Sequence, residues 1–358
     1  MSQLGIGRPS PRYVERGGEV VYRPPFCARD VSMWVFLVEA DLECLDEVCR
    51  RTFTYPTDGA VEMVPLGPYV VVSFVNIREL GSGPPDDRLG TLPELESSLW
   101  FPVLDTKRKR FVWHVPYMFV DGGAAMAGGR EIYGFPKNIA RLTIPDEGDV
   151  LPDELSVRTL ALERFRRAER GAERTVYSVS RRSSDRLTRT EASTPGSQTH
   201  QFFADPPGVL RGDLRARRPD PNRSTPSASA DADGRHLWDV LRGRGRLLKA
   251  AEVLLLFVGD FAERCLPMVN LKQFRSAENS ELACYQAVVE VRNTIEGPPV
   301  GGPIPDDYYD ITFHELDSEP ICRDLGIGRG RQTPAAGLWI DFGFDIHPGD
   351  VVWEASPL

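Results

Sequence analysis

One lysine stands apart chemically in this sequence. Lys137 lies in the stretch Gly128-Gly129-Arg130-Glu131-Ile132-Tyr133-Gly134-Phe135-Pro136-Lys137-Asn138-Ile139-Ala140, where most neighbours are apolar or glycine. Tyr133, Phe135, Lys137 and Ile139 alternate with smaller or polar residues. That is the period of a strand with one packed face, so the lysine is expected to point inward with the other three. Burial disfavours an ammonium and can lower a lysine pKa by about 3–5 units, which leaves a neutral amine able to attack a carbonyl carbon. A buried lysine without a partner is costly, so two readings stay open: an ion pair with a carboxylate such as Glu131, or chemistry.

Other chemistries have weaker support. His314, Glu315, Asp306, Asp307, Asp310 and His347 make no recognised metal-ligand spacing, and adjacent His314 and Glu315 would face opposite ways on a strand. Gly326-Ile327-Gly328-Arg329-Gly330-Arg331 lacks the Lys-Ser/Thr of a phosphate loop and reads as a flexible turn. No G-x-S-x-G nucleophile motif occurs. Neither a metal nor a cofactor is expected.

The lysine must be positioned by a substantial core. The chain has 358 residues, 41% of them hydrophobic, which is enough for one large domain over 1–358 with an insertion. A net charge of -9 argues against nucleic acid as partner. Cys27, Cys44, Cys49, Cys265, Cys284 and Cys322 form no C-x-x-C pair, and the longest apolar run, Val253 to Val258, is far short of a membrane span. The expectation is a soluble, cytoplasmic protein with reduced thiols and no membrane partner.

Strands are expected over Val31–Val38, Tyr69–Ile77, Phe101–Val103, Phe111–Val120, Leu155–Leu162, Thr175–Ser180, Val269–Phe274, Ala283–Val291, Tyr309–Glu315 and Leu338–Ile346. Tyr69–Ile77 is apolar almost throughout, which implies burial on both faces. Asp41 is placed to cap a helix with Leu42, Leu45, Val48 and Cys49 on one face, and an apolar helical period runs from Leu237 to Cys265. Lys107 to Arg110 reads as a hairpin tip and Gly297 to Asp307 as a long loop. Residues 181–236 are rich in Ser, Pro and Arg with little to bury, and are expected to be an inserted, disordered loop. The fold class is α+β: a predominantly antiparallel, barrel-like sheet with a few packed helices.

The motif Gly129-Arg130-Glu131, four residues, then Pro136-Lys137 resembles the Schiff-base segment of the acetoacetate decarboxylase family. Glu96-Ser97-Ser98-Leu99-Trp100-Phe101-Pro102-Val103 resembles the family's acid-containing stretch, and Met268 to Phe274 its lysine-containing strand. Ala28-Arg29-Asp30 supports the match near the start. Together they cover most of the chain outside 181–236. Two positions depart from the pattern: Asn138 stands where the family's decarboxylases carry a second lysine, and Tyr69–Ile77 has no acid before Glu79.

The resemblance implies a carbon–carbon lyase with an acetoacetate decarboxylase-like fold, assembled from identical subunits. Lys137 would form an imine with a small oxo acid, most simply a β-keto acid that then loses carbon dioxide. Aldolase or dehydratase chemistry on a pyruvate-like acid through the same imine is the alternative that Asn138 raises, and a non-catalytic binder of small acids is a third. Activation of the lysine by desolvation or a neighbouring cation is likewise what the resemblance implies rather than anything the spacing shows. Arg29 would hold the substrate carboxylate, since a guanidinium fork matches it. Glu96 would shuttle protons, unless it is simply a loop glutamate in Glu94-Leu95-Glu96. Tyr133 and Phe135, on the lysine's face, would bind substrate, while Glu131 and Asn138 would be structural at the site.

Replacing residues 183–233 by a short glycine-serine linker is expected to leave soluble, active protein, because loop length costs little and this segment has little to bury. Expression and activity of the deletion variant check this; loss of either would place the segment over the site.

Overall fold

The computed structural model describes residues 12–14, 22–145, 151–182, 248–305 and 308–355. In chain order its strands are β1 (Phe26–Glu39), β2 (Met63–Pro65), β3 (Tyr69–Ser82), β4 (Leu92–Asp105), β5 (Arg110–Val120), β6 (Lys137–Ile139), β7 (Arg141–Thr143), β8 (Glu154–Ala161) and β9 (Ala172–Arg181). They continue with β10 (Cys265–Arg275), β11 (Ala283–Pro303), β12 (Tyr309–Phe313), β13 (Gly330–Gln332), β14 (Ala336–Ile346) and β15 (Asp350–Glu354). The α-helices are α1 (Leu42–Cys49), α2 (Gly123–Gly128), α3 (Ala250–Ala262) and α4 (Ile321–Leu325).

Strands run in the order β4-β3-β1-β14-β11-β10-β5, and a further β4–β5 pairing closes them into a ring. Pairing is antiparallel except that β5 runs parallel to β10 and β6. A second sheet, β13-β12-β9-β8-β7, packs outside. This is the expected barrel-like, mainly antiparallel architecture, although β8 and β9 belong to the outer sheet rather than to one continuous meander.

Burial of both alternating faces explains why the middle of β1 and of β3 is nearly all apolar. Met33, Val35, Leu37, Val71, Val75 and Ile77 face one core, inside the ring. Trp34, Phe36, Val38, Val70, Val72 and Phe74 face a second core, between the ring and the outer sheet. There Phe36 meets Tyr309 edge-on at 5.4 Å and Phe74 meets Tyr177 at 5.7 Å. Strands buried on both faces cannot show a polar side, so the near-continuous apolar run is what this layering requires.

Helix α3 is apolar because it packs against the inner core. Its Val253, Phe257, Val258 and Phe261 are buried, with Phe257 at 5.6 Å from both Trp100 and Trp113. Asp260 accepts the Trp113 indole N–H at 2.7 Å, which satisfies the one polar atom of that ring. The helix ends at Ala262, so Cys265 starts a strand and not the last helical turn expected; Leu237 and Leu241, expected in the same helix, lie outside the described residues. Asp41 caps α1 as expected, accepting from the backbone N–H groups of Glu43 and Cys44 at 2.9 and 3.0 Å.

Three further expectations are corrected. The loop assigned to Gly297–Asp307 is mostly strand: β11 runs on to Pro303, because an irregularity between Glu296 and Val300 accommodates the two prolines. Gly326 is a fixed point and not a flexible turn. It closes α4 at φ +64°, where a Cβ would fall 2.2 Å from that of Asp41. The stretch from Tyr133 to Ile139 is not one strand, as described below. The insertion expected over 181–236 lies outside the described residues beyond Arg182.

Phe257→Ala is expected to cost about 3–5 kcal/mol by opening a void between Trp100, Trp113 and Phe261. Urea unfolding should show the lower midpoint.

Candidate functional site

The inner face of the ring is not filled. A cavity of about 580 Å³ remains, walled by Met33, Val75, Trp100, Phe261, Met268, Phe342 and similar residues. On one side it is bounded by α2 and the wide helical turn Gly129–Tyr133, and Lys137 enters it there.

Lys137 reaches the cavity by a route other than the one its sequence pattern predicts. Tyr133 ends the wide turn, Gly134 turns the chain in the left-handed region, and only Lys137–Ile139 is strand, paired with Met118–Val120. Ile139 is 41% exposed, so the lysine does not share a packed face with it. The chain can turn so sharply because a Cβ on Gly134 would stand 2.5 Å from Lys272 Cα. Arg130 donates to the Lys137 carbonyl at 3.1 Å and pins the short strand. Tyr133 and Phe135 do line the cavity, as expected.

The sequence marks Gly129 only as part of a motif and assigns it no role of its own, yet the lysine side chain runs directly across it. A Cβ at 129 would lie 2.6 Å from Lys137 Cδ and 2.8 Å from Cε. The glycine of the Gly129-Arg130-Glu131 motif is therefore needed for side-chain space, a role invisible without the fold.

At its tip, Lys137 Nζ donates to Glu94 Oε1 at 2.6 Å and stands 3.4 Å from Glu96 Oε2. Lys137 is 8% exposed and Glu94 2%. Both carboxylates project from β4 because they are two residues apart, opposite Ile77 and Val75 of β3. Ser98, two further on, donates to Glu96 at 3.4 Å. Glu96 is the acid expected here; Glu94, to which the sequence assigns no role, is the closer partner. The missing signal was the start of β4: once that strand is extended back to Leu92, period-two alternation puts both acids on one face.

The electrostatics reverse the expected sign for the lysine. Burial disfavours its ammonium, but Glu94 and then Glu96 outweigh burial, and the net direction is upward from the ordinary lysine value. Burial, opposed by Lys137 and reinforced by Glu94, pushes the Glu96 carboxyl above the ordinary range. The amine is therefore held as its ammonium, and a neighbouring acid must take its proton before it can act as a nucleophile.

Of the other expected site residues, Arg29 and Asn138 lie outside the cavity and Glu131 lies on its wall. Arg29 does not line the cavity; it pairs with Glu296 at 2.9 Å and Asp345 at 2.8 Å and donates to the carbonyls of Ala28 and Phe344. A guanidinium so committed has little left for a substrate carboxylate. Glu131 lines the cavity but accepts from Tyr13 at 3.1 Å, and pairs with neither Lys137 nor Arg130. Asn138 points out of the cavity and donates to Glu319 at 3.0 Å; burial raises the Glu319 pKa to about 7. Lys272, on the strand resembling the family's lysine strand, stands over Phe274 and Tyr285, and burial lowers its pKa.

Residues 60–173 match the family model of acetoacetate decarboxylase. Over those residues the chain is similar to that family. Its fold superposes on acetoacetate decarboxylase from Legionella pneumophila subsp. pneumophila str. Philadelphia 1 with a TM-score of 0.51 and 16% identity, covering 98% of this chain and 94% of that one. An acetoacetate decarboxylase-like enzyme from Sphingomonas wittichii RW1 follows at a TM-score of 0.48 and 10% identity, over 92% and 94% of the two chains. The enduracididine biosynthesis enzyme MppR complexed with pyruvate stands at 0.48 and 13%, over 95% of each. No curated protein sequence matches the chain. At these identities the likeness establishes the acetoacetate decarboxylase-like fold. No described helix is long and apolar enough to cross a membrane.

Glu94→Gln removes the carboxylate nearest the lysine, so burial should then dominate and lower the Lys137 pKa. Acetylation of Lys137 by acetic anhydride, read by mass spectrometry against pH, should shift to lower pH by at least about one unit, since a close opposite charge moves a pKa by about 1–3. Gly129→Ala should displace the lysine and alter the same profile with little change in unfolding midpoint.

Proposed function

We propose that this protein is a Schiff-base lyase that decarboxylates a β-oxo acid through an imine on Lys137. The observation that carries the reading is the placement of Lys137 Nζ 2.6 Å from Glu94 and 3.4 Å from Glu96 on the wall of a largely apolar cavity. Imine formation needs a nucleophilic amine and a group that first takes and then returns protons, and these three side chains supply both.

In this reading Lys137 gives its proton to Glu94 and adds to the ketone carbon. Glu96, whose carboxyl is held above the ordinary range, protonates the carbinolamine oxygen, and water leaves. The resulting iminium accepts the electron pair of the bond between the α-carbon and the carboxylate. Carbon dioxide departs, the enamine takes a proton at carbon, and water hydrolyses the iminium to release ketone and lysine.

Decarboxylation is favoured over aldol chemistry by what surrounds the lysine. Among the described residues no arginine lines the cavity, and its other charged groups are Glu94, Glu96 and Glu131. A substrate carboxylate held there is poorly solvated and repelled, a state relieved when the group leaves as neutral carbon dioxide. Asn138, the residue that raised the aldol alternative, faces away from the cavity, so its replacement of a lysine acts only indirectly. No cofactor enters this chemistry.

Borohydride added to protein and acetoacetate should fix one substrate-derived mass on the peptide that contains Lys137, and Lys137→Ala should take up none. Labelling spread evenly over surface lysines such as Lys107 and Lys109, or absent altogether, would remove the chemical basis of the reading.

A further inference from the structure

The cavity is far larger than the chemistry at Lys137 requires. At about 580 Å³ it falls in the range of about 300–1,000 Å³ typical of sites for ligands of drug size. Acetoacetate would occupy the region next to Lys137 and leave most of the rest as empty apolar volume. We propose, building on the Schiff-base reading above, that the substrate is a β-oxo acid with a long or aromatic uncharged tail, which fills the ring interior between Met33, Trp100, Phe261, Met268 and Phe342.

The walls decide the character of the tail. Apart from two tyrosines, the lining side chains that carry charge or an amide are Glu94, Glu96, Glu131, Lys137 and Asn293. Lys137 is taken by the ketone, and the three glutamates supply no cation to pair with an anion. The Asn293 amide nitrogen donates to the Leu266 carbonyl and the Met268 sulfur, each at 3.3 Å, and its Oδ1, which has no partner among the described residues, can only accept and so offers a carboxylate nothing. The Trp100 N–H is also occupied, by Ser73 and Ser98 at 2.9 and 2.7 Å. A second carboxylate on the tail would therefore be buried without a partner, which disfavours diacids. An alkyl or aryl tail would instead exchange water for aromatic and thioether contacts.

Burying a methylene is worth roughly fourfold in binding, so the longer tail of β-oxooctanoate should gain about two orders of magnitude in kcat/KM over acetoacetate. Carbon dioxide release from acetoacetate, β-oxooctanoate, benzoylacetate and a β-oxo diacid, together with borohydride trapping of each on Lys137, tests this on the unmodified protein. The expected order puts β-oxooctanoate and benzoylacetate first and the diacid last. Ile295→Trp, which fills part of the cavity wall, should cut the ratio of β-oxooctanoate to acetoacetate turnover by tenfold or more. If Lys137 traps all the acids and turns them over without preference for the apolar tails, the substrate assignment is wrong while the Schiff-base reading stands. If no acid is trapped on Lys137, both fall together.

Discussion

The structure depends on a single compromise: an ammonium and two carboxylates held together inside an apolar ring. Each charge would be costly there alone, and burying charges is tolerable only with close partners and satisfied hydrogen bonds. Lys137 with Glu94 at 2.6 Å meets that condition, with Glu96 at 3.4 Å as a third member. Burial, with Glu94 beside it, drives Glu96 toward its protonated form, while the two acids together outweigh burial at Lys137 and hold it as its ammonium. In the proposed reaction this cluster passes a proton among its members. A lysine made neutral by burial alone would have no such reserve.

The rest of the fold serves this geometry. The ring gives two adjacent strands, β4 and β5, a common inner face, so that Glu94 and Glu96 stand beside the strand pairing that holds Lys137. Gly129 leaves room for the lysine stem, and Gly134 lets the chain turn against β10. Helix α3 packs its phenylalanines against Trp100 and Trp113 and completes the apolar lining. The outer sheet buries the other face of β1 and β3, so the ring is supported from outside as well as closed upon itself.

Much of this was legible in the sequence where the signal is local. Asp41 announces its helix, the apolar run of Tyr69–Ile77 announces burial on both faces, and the glycine-rich setting of Lys137 marks it as a buried amine. Signals failed where the deciding partner is remote. Arg29 looks available until Glu296 and Asp345, far along the chain, are brought against it. Glu94 looks like a loop residue because Leu92 and Pro93 hide the start of β4. The alternation of Tyr133, Phe135, Lys137 and Ile139 has the period of a strand, but a wide helical turn and a left-handed glycine carry the first two residues into place instead. Period alone cannot separate those two routes to the same cavity.

The account stands or falls on the protonation of one amine. Nitrogen NMR of protein labelled at the lysine side chains, with Lys137→Ala to assign the resonance, would follow that amine directly through a pH titration. If Glu94 and Glu96 govern the site, the Lys137 resonance remains that of an ammonium past the ordinary lysine midpoint of about 10.4. A midpoint near neutral pH would mean that burial outweighs the two carboxylates, and would contradict the proton-sharing cluster described above.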